Sequence, residues 1–234
     1  MQHLKPLILS APQKCDAKHL LAGIVTLRSG GVIALPTDTI YGIASLAQCK
    51  KAVNRIYVIK NRIETKPLAI CVGTIPQVYR WCRVTISKAL LELLLPGPVT
   101  LVFARKAALN PDLNPGNPLV GVRIPDYPLI QDLCRQLDEP LALTSANISS
   151  GISTVRTQEF QELWPYLDVI YDGGTLGHSE SHRLGSTVVN LSQTGFFTII
   201  RPGSAYAVTR ELLLGHGLVE DIPDSNLISN VSLK

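Results

Sequence analysis

The sequence has 234 residues, of which 46% are hydrophobic and 17% charged, with a mean hydropathy of +0.20. That balance excludes a disordered chain and a long charged helix or coiled coil. The net charge of +4, from 22 Lys and Arg against 18 Asp and Glu, is too mild for a surface dedicated to nucleic acid.

In chain order, residues 1–15 read as an extended arm or edge strand. Asp16 is a helix N-cap, and Leu20, Leu21, Ile24, Val25 and Leu27 recur at helical spacing until Gly30 and Gly31 stop the helix. Val32–Leu35 is a short apolar run closed by Pro36, which predicts a buried strand. Ala47–Ile59 predicts a second helix, with Ala52, Val53, Ile56, Tyr57 and Ile59 toward the core. Leu68–Val72 is another strand. Ser87 caps a helix that reaches Leu95, because Pro96-Gly97-Pro98 cannot continue it.

Val99–Phe103 is a strand, residues 110–118 form a Pro-rich loop, and Leu119–Ile124 is a strand followed by a helix near Leu129–Leu137. Leu141–Thr144 predicts a strand ending in the polar turn Ser145-Ala146-Asn147. A helix over Gln158–Leu167, strands at Val169–Tyr171, Thr187–Leu191 and Phe197–Ile200, and a helix over Ala207–Leu214 complete the pattern. Alternating strands and helices without a linker imply a single α/β domain, with a mixed, largely buried sheet flanked by helices. A domain of this size buries roughly 70% of the surface its unfolded chain exposes.

Five cysteines, at 15, 49, 71, 82 and 134, include no C-x-x-C pair. A disulfide framework or zinc ribbon is therefore not expected, and a reducing compartment is the default. No apolar run approaches the ~20 residues that span a bilayer. The N-terminal stretch has no signal-peptide core and no Arg before Arg28, so the simplest reading is a soluble cytoplasmic protein; a mitochondrial form stays open.

Several strands end in polar, turn-forming residues: Pro36–Gly42, Val122–Pro125, Thr144–Asn147 and Ile200–Gly203. Ligands of open α/β sheets bind beyond such ends, and Arg123 and Arg201 there suit an anion. Asp38 reads as a turn-capping residue. Lys60-Asn61-Arg62-Ile63-Glu64-Thr65-Lys66 is either a solvated helix end or a phosphate clamp. Asp172–His178 is a Gly-rich turn without P-loop or dinucleotide spacing, and reads as a flexible loop. His178-Ser179-Glu180-Ser181-His182 is not a zinc-protease helix, no G-x-S-x-G elbow occurs, and Cys71 sits in an apolar strand as an inert thiol. The residues suggest a crevice for a polyphosphate, with no covalent nucleophile and no dedicated metal site.

Taken together, Pro36–Gly42 (PTDTIYG), Lys60–Leu68 (KNRIETKPL), Leu95–Thr100 (LPGPVT), Arg123–Pro128 (RIPDYP), Thr144–Asn147 (TSAN), Gly185–Val189 (GSTVV) and Arg201–Gly203 (RPG) resemble, in order, the motifs of the YrdC-like threonylcarbamoyl-adenylate synthases. The resemblance covers residues 16–210 as a catalytic domain, with 1–15 as an arm and 211–234 as a helix end and polar tail. It resembles the short form, without the extra C-terminal domain of longer members.

The resemblance implies a twisted mixed sheet with a positively charged concave face. It implies condensation of L-threonine, bicarbonate and ATP to threonylcarbamoyl-adenylate and pyrophosphate, with Mg2+ carried by ATP. A downstream transferase complex would then pass the threonylcarbamoyl group to N6 of a tRNA adenosine; a weak direct tRNA contact is compatible with this, and no membrane is involved. Carried onto matching positions, Lys60 and Arg62 would be catalytic. Thr39, Cys71, Arg123 and Ser186 would bind threonine. Lys60, Arg62, Lys66, Ser145, Asn147, Ser153 and Arg201 would bind ATP. Ile63 stands where the family usually has Pro, and Leu119 where some members have a nucleotide-binding Thr. The alternative is a non-catalytic RNA-binding or regulatory module that uses the same basic face. Aromatics at 6% supply no evident stacking platform for single-stranded RNA.

Overall fold

The computed structural model describes residues 5–11, 16–60, 67–148, 151–177 and 183–222. Arg62, Ile63 and Lys66 of the basic cluster, and His178, Glu180 and His182, lie outside the described residues.

Strand β1 (Leu7–Ser10) precedes helix α1 (Ala17–Arg28), which Asp16 caps by accepting from the His19 amide at 2.8 Å. Its inward face is narrower than the spacing predicts. Leu27 and Gly23 are buried, whereas Leu21 and Val25 point to solvent. Strands β2 (Ile33–Leu35) and β3 (Gly42–Leu46) flank the Pro36–Tyr41 turn. Helix α2 (Lys50–Ile59) starts later than the predicted Ala47, and β4 (Ala69–Cys71) follows. Helix α3 (Ile75–Trp81) and β5 (Cys82–Arg83) precede α4 (Lys88–Leu94), whose first turn is closed by Ser87 on the Leu90 amide at 3.2 Å.

The second half comprises β6 (Val99–Arg105), β7 (Leu119–Arg123), α5 (Pro128–Leu137), β8 (Leu141–Ser145), a 3-10 stretch (Thr157–Tyr166), β9 (Val169–Asp172), β10 (Thr187–Asn190), β11 (Phe196–Arg201), α6 (Tyr206–Gly215) and β12 (Val219–Glu220). The segment over residues 157–166 is therefore 3-10 rather than α, with a kink at Phe160 and Pro165 inside it.

The strands run in the order β1-β9-β2-β3-β8-β4-β7-β6-β10-β11-β12, with β5 attached to β6. Pairing is mixed: β4–β7 and β6–β10 are parallel, whereas β2–β3, β3–β8, β4–β8, β6–β7 and β10–β11 are antiparallel. Side chains alternate across each strand and so build two cores. Ala34, Ile43, Ile70, Leu101 and Val122 face one core, shared with α2, α3, α4 and α6. Leu35, Ala44, Leu141 and Tyr171 face the other, shared with residues of α5 and Leu27 of α1.

The Pro-rich loop does not divide the domain. Asn114, at φ 55°, accepts from the Leu68 amide at 2.7 Å and donates to the Leu68 carbonyl at 2.9 Å, so the loop is stitched to the segment entering β4. Leu109 and Leu113 are buried beside it. No helix among the described residues is long and apolar enough to cross a membrane.

Candidate active site

On the α1/α5 side of the sheet, strands β4, β7, β6 and β10 leave a pocket of about 370 Å³. Its floor carries small side chains at Ala69 and Gly121. A Cβ at Gly121 would stand 2.9 Å from the Thr100 methyl, so only glycine lets the adjacent strand sit this close. Leu119, Leu143, Val102 and Val188 supply apolar wall.

Five strand ends or turns bring polar groups to the rim, four of them among the polar strand ends read from the sequence. The β2–β3 turn supplies Thr37, β7 supplies Arg123, β8 supplies Ser145, and the β10 and β11 ends supply Ser186 and Arg201. Arg123 is 5% exposed and its Nη2 pairs with Asp38 across the turn. Ser186 is buried, and its hydroxyl lies 2.8 Å from that of Thr100. Arg201 donates to the Ser186 carbonyl at 2.9 Å while keeping contact with solvent. Burial, and then the nearby Arg123 charge, pull the Arg201 pKa below its ordinary value. The RPG turn closes on this strand end: a Cβ on Gly203 would sit 2.4 Å from the Ser186 carbonyl carbon and the Thr187 nitrogen.

Other expected site residues stand outside the pocket lining. Thr39 is buried, and its hydroxyl is 3.1 Å from that of Thr37, which is the one lining the pocket. Cys71 is fully buried in the core against α5, and burial pushes its thiol up to about 12 despite the opposing Arg123 charge. Lys60 has no solvent exposure. Its Nζ donates to the Ser145 carbonyl at 2.6 Å, to Asn147 Oδ1 at 2.8 Å and to the Asn147 carbonyl. The ammonium therefore sits beneath the TSAN turn and fixes its shape.

Asn147 also donates to the Gly151 carbonyl and accepts from Ser145 Oγ. Ser153 is half-buried, and its carbonyl accepts from Arg183 at 2.8 Å. Arg183 forks onto Glu159 at 2.8 and 2.9 Å, and Glu159 also accepts from the Val155 amide. Among the described residues, Arg123, Ser145, Ser186 and Arg201 thus converge on one pocket. Sequence reasoning missed Thr100 and the Asp38 pairing. Thr100 ends the LPGPVT motif and alternates with Leu101 onto the pocket face, a signal available in the strand period. No group of three or more His, Cys, Asp or Glu among the described residues could hold a metal.

The family described as "Telomere recombination", which groups Sua5, YciO and YrdC, matches residues 25–203. "Threonylcarbamoyl-AMP synthase" of Bos taurus is 53% identical over 202 residues, covering 86% of this chain and 73% of the relative. The protein of the same name from Bacillus subtilis is 32% identical over 193 residues, covering 81% of this chain and 54% of the relative. P. abyssi Sua5 complexed with L-threonine superposes with a TM-score of 0.80 at 27% identity, over 91% of this chain and 62% of that one. E. coli YciO has the same fold, with a TM-score of 0.76 at 22% identity over 86% of this chain and 96% of that one. With its mixed α/β sheet and motif-lined pocket, the chain belongs to the Sua5–YciO–YrdC family.

Proposed function

We propose that the protein is a threonylcarbamoyl-AMP synthase. It condenses L-threonine, bicarbonate and ATP to threonylcarbamoyl-adenylate and pyrophosphate, for the N6-threonylcarbamoyladenosine of tRNA. The observation that carries the reading is the buried Arg123, which faces a pocket ringed by residues of the motifs that resemble the family, in a chain 53% identical to a relative of that name. The volume of about 370 Å³ lies low in the range of ~300–1,000 Å³ typical of small-molecule sites, which suits threonine with the reacting end of a nucleotide.

In this reading the threonine carboxylate takes the guanidinium of Arg123, because a planar fork matches a carboxylate. Hydroxyls of Thr37, Thr100 and Ser186 surround the amino acid. The threonine amine bonds to the carbon of bicarbonate-derived CO2 and gives up a proton, yielding a carbamate. A carbamate oxygen then attacks the α-phosphorus of ATP, and the bond to the pyrophosphate oxygen breaks. Arg201, with Arg62 and Lys66, stabilises charge on the phosphates as they transfer. Ser145, Asn147 and Ser153 hold the nucleotide, and Lys60 acts by shaping the turn that carries the first two.

Mg2+ would arrive with the incoming ATP and supply charge neutralisation at its phosphates. The cations concentrated at these motifs would form the positively charged concave face. A cytoplasmic location and a downstream transferase complex acting on tRNA complete the proposal. Relatives that carry a synthase name weigh against a non-catalytic RNA-binding module.

The test is pyrophosphate release by purified protein given ATP, Mg2+ and bicarbonate, with and without L-threonine. Release that requires threonine is expected. Release independent of threonine, or none from a folded preparation, would overturn the assignment.

A further inference from the structure

Asp38 reads from sequence as a turn cap, yet Thr37 caps that turn. Thr37 Oγ1 accepts from the Thr39 amide at 3.1 Å and the Ile40 amide at 3.3 Å, and donates to the Ile40 carbonyl at 2.8 Å. Asp38 instead reaches away from its own turn. Its side chain is 9% exposed; Oδ1 takes Nη2 of Arg123, and Oδ2 accepts from the Asp126 amide at 3.1 Å. The carboxylate is thus held at both oxygens, by the end of β7 and by the loop that follows it.

Arg123 is held less completely. It lines the pocket at 5% exposure, and its buried Nε has no hydrogen-bond partner among the described residues. A guanidinium presents its donors in one rigid plane. Clamping the Nη2 corner restrains that plane; Nε is enclosed, and the Nη1 end is left for an acceptor in the pocket. A buried charged donor without an acceptor is unfavourable, so a ligand carboxylate gains by supplying one.

We infer that Asp38 is the positioning residue for the substrate carboxylate: it clamps one corner of the Arg123 fork so that the Nη1 end is presented to the amino acid. The inference rests on the reading of Arg123 as the threonine anchor. It makes Asp38 a determinant of amino-acid binding that does not itself touch the nucleotide.

Asp38→Asn keeps an acceptor for Asp126 and removes the charge that clamps Arg123; Asp38→Ala removes both. Steady-state kinetics for each substrate, calorimetric threonine binding and thermal unfolding are compared with the unaltered protein. For Asp38→Asn the threonine KM and Kd should rise about 10- to 100-fold, as expected for a misplaced binding group. The ATP KM should stay within about threefold, while the melting temperature falls because the buried Arg123 loses its counter-charge. Asp38→Ala should show the same split between substrates, at least as large. Unchanged threonine affinity in both variants, or equal losses for threonine and ATP, would overturn the inference while leaving the proposed function intact. An unaltered protein that neither binds nor uses threonine would remove both.

Discussion

Replacing Lys60 with Met should destabilise the fold as well as weaken ATP use. The ammonium is fully enclosed and has three acceptors within the TSAN turn: the Ser145 carbonyl, the Asn147 carbonyl and Asn147 Oδ1. Methionine is of similar length and fills the channel, so the loss is one of hydrogen bonding rather than volume. Asn147 Oδ1 keeps the Ser145 hydroxyl and the Ser145 carbonyl keeps the Asn147 amide at 3.0 Å, so the cost falls on the Asn147 carbonyl, at about 1–3 kcal/mol for a buried acceptor that loses its donor. Removing the lysine also removes its own desolvation penalty, which offsets part of that cost. The net effect should be about 1–3 kcal/mol. At about 2–4 °C per kcal/mol for a chain of this size, the melting temperature should fall by roughly 2–12 °C. Thermal unfolding followed by circular dichroism, alongside the ATP KM, separates the alternatives. A variant that melts within about 2 °C of the unaltered protein while its ATP KM rises would show that Lys60 is a phosphate ligand and not the turn's scaffold.

Arg123→Lys keeps the charge but loses the planar fork, so the threonine KM should rise at least about tenfold; an unchanged value would remove the carboxylate anchor. Gly203→Ala places a methyl 2.4 Å from the Ser186–Thr187 peptide, so the RPG turn must move away. About 1–3 kcal/mol of stability should be lost, together with kcat/KM, as Arg201 shifts; wild-type values for both would contradict the packing. The hydrogen bond from Arg183 pulls the Glu159 pKa from an ordinary 4.5 to about 2. Because the folded-state value is depressed, this carboxylate stabilises the protein above pH 4.5 and loses that effect as pH falls toward 2. Glu159→Gln should therefore be less stable than wild type at neutral pH, and urea titrations should show the difference shrinking across that window; a constant difference would contradict it. Burial pushes the Cys71 and Cys82 thiols up to about 12 and raises that of Cys134, whereas Cys49 is half-exposed. Iodoacetamide on the native protein should label Cys49 well ahead of the other three, and equal labelling of Cys71 would refute its enclosure.

Local signals were legible where chemistry is local. Asp16 and Ser87 cap their helices because a side-chain oxygen meets an amide three residues on. Strand β3 escaped the sequence because Gly42–Leu46 is buried at every position, leaving no alternation to read. Helix α3 is only seven residues long and carries Pro76, too short for a helical period to stand out. In the site, Arg123, Ser186 and Arg201 stand at one end of their strands and Ser145 at the other end of antiparallel β8, so they meet only because the pocket lies along the sheet face between them. The depth of Lys60, Thr39 and Cys71 depends on how the turns pack, and motif identity alone does not carry it. Asp38 and Arg123 stand 85 positions apart, so their pairing arises only when the β2–β3 turn folds over the end of β7.

The most direct test of the account is mass-spectrometric identification of the product formed from ATP, L-threonine and 13C-bicarbonate. The account predicts threonylcarbamoyl-adenylate carrying the heavy carbon, formed together with pyrophosphate and absent when threonine or bicarbonate is omitted. Adenylate products lacking the bicarbonate carbon, or ATP cleavage without any threonine adduct, would contradict it.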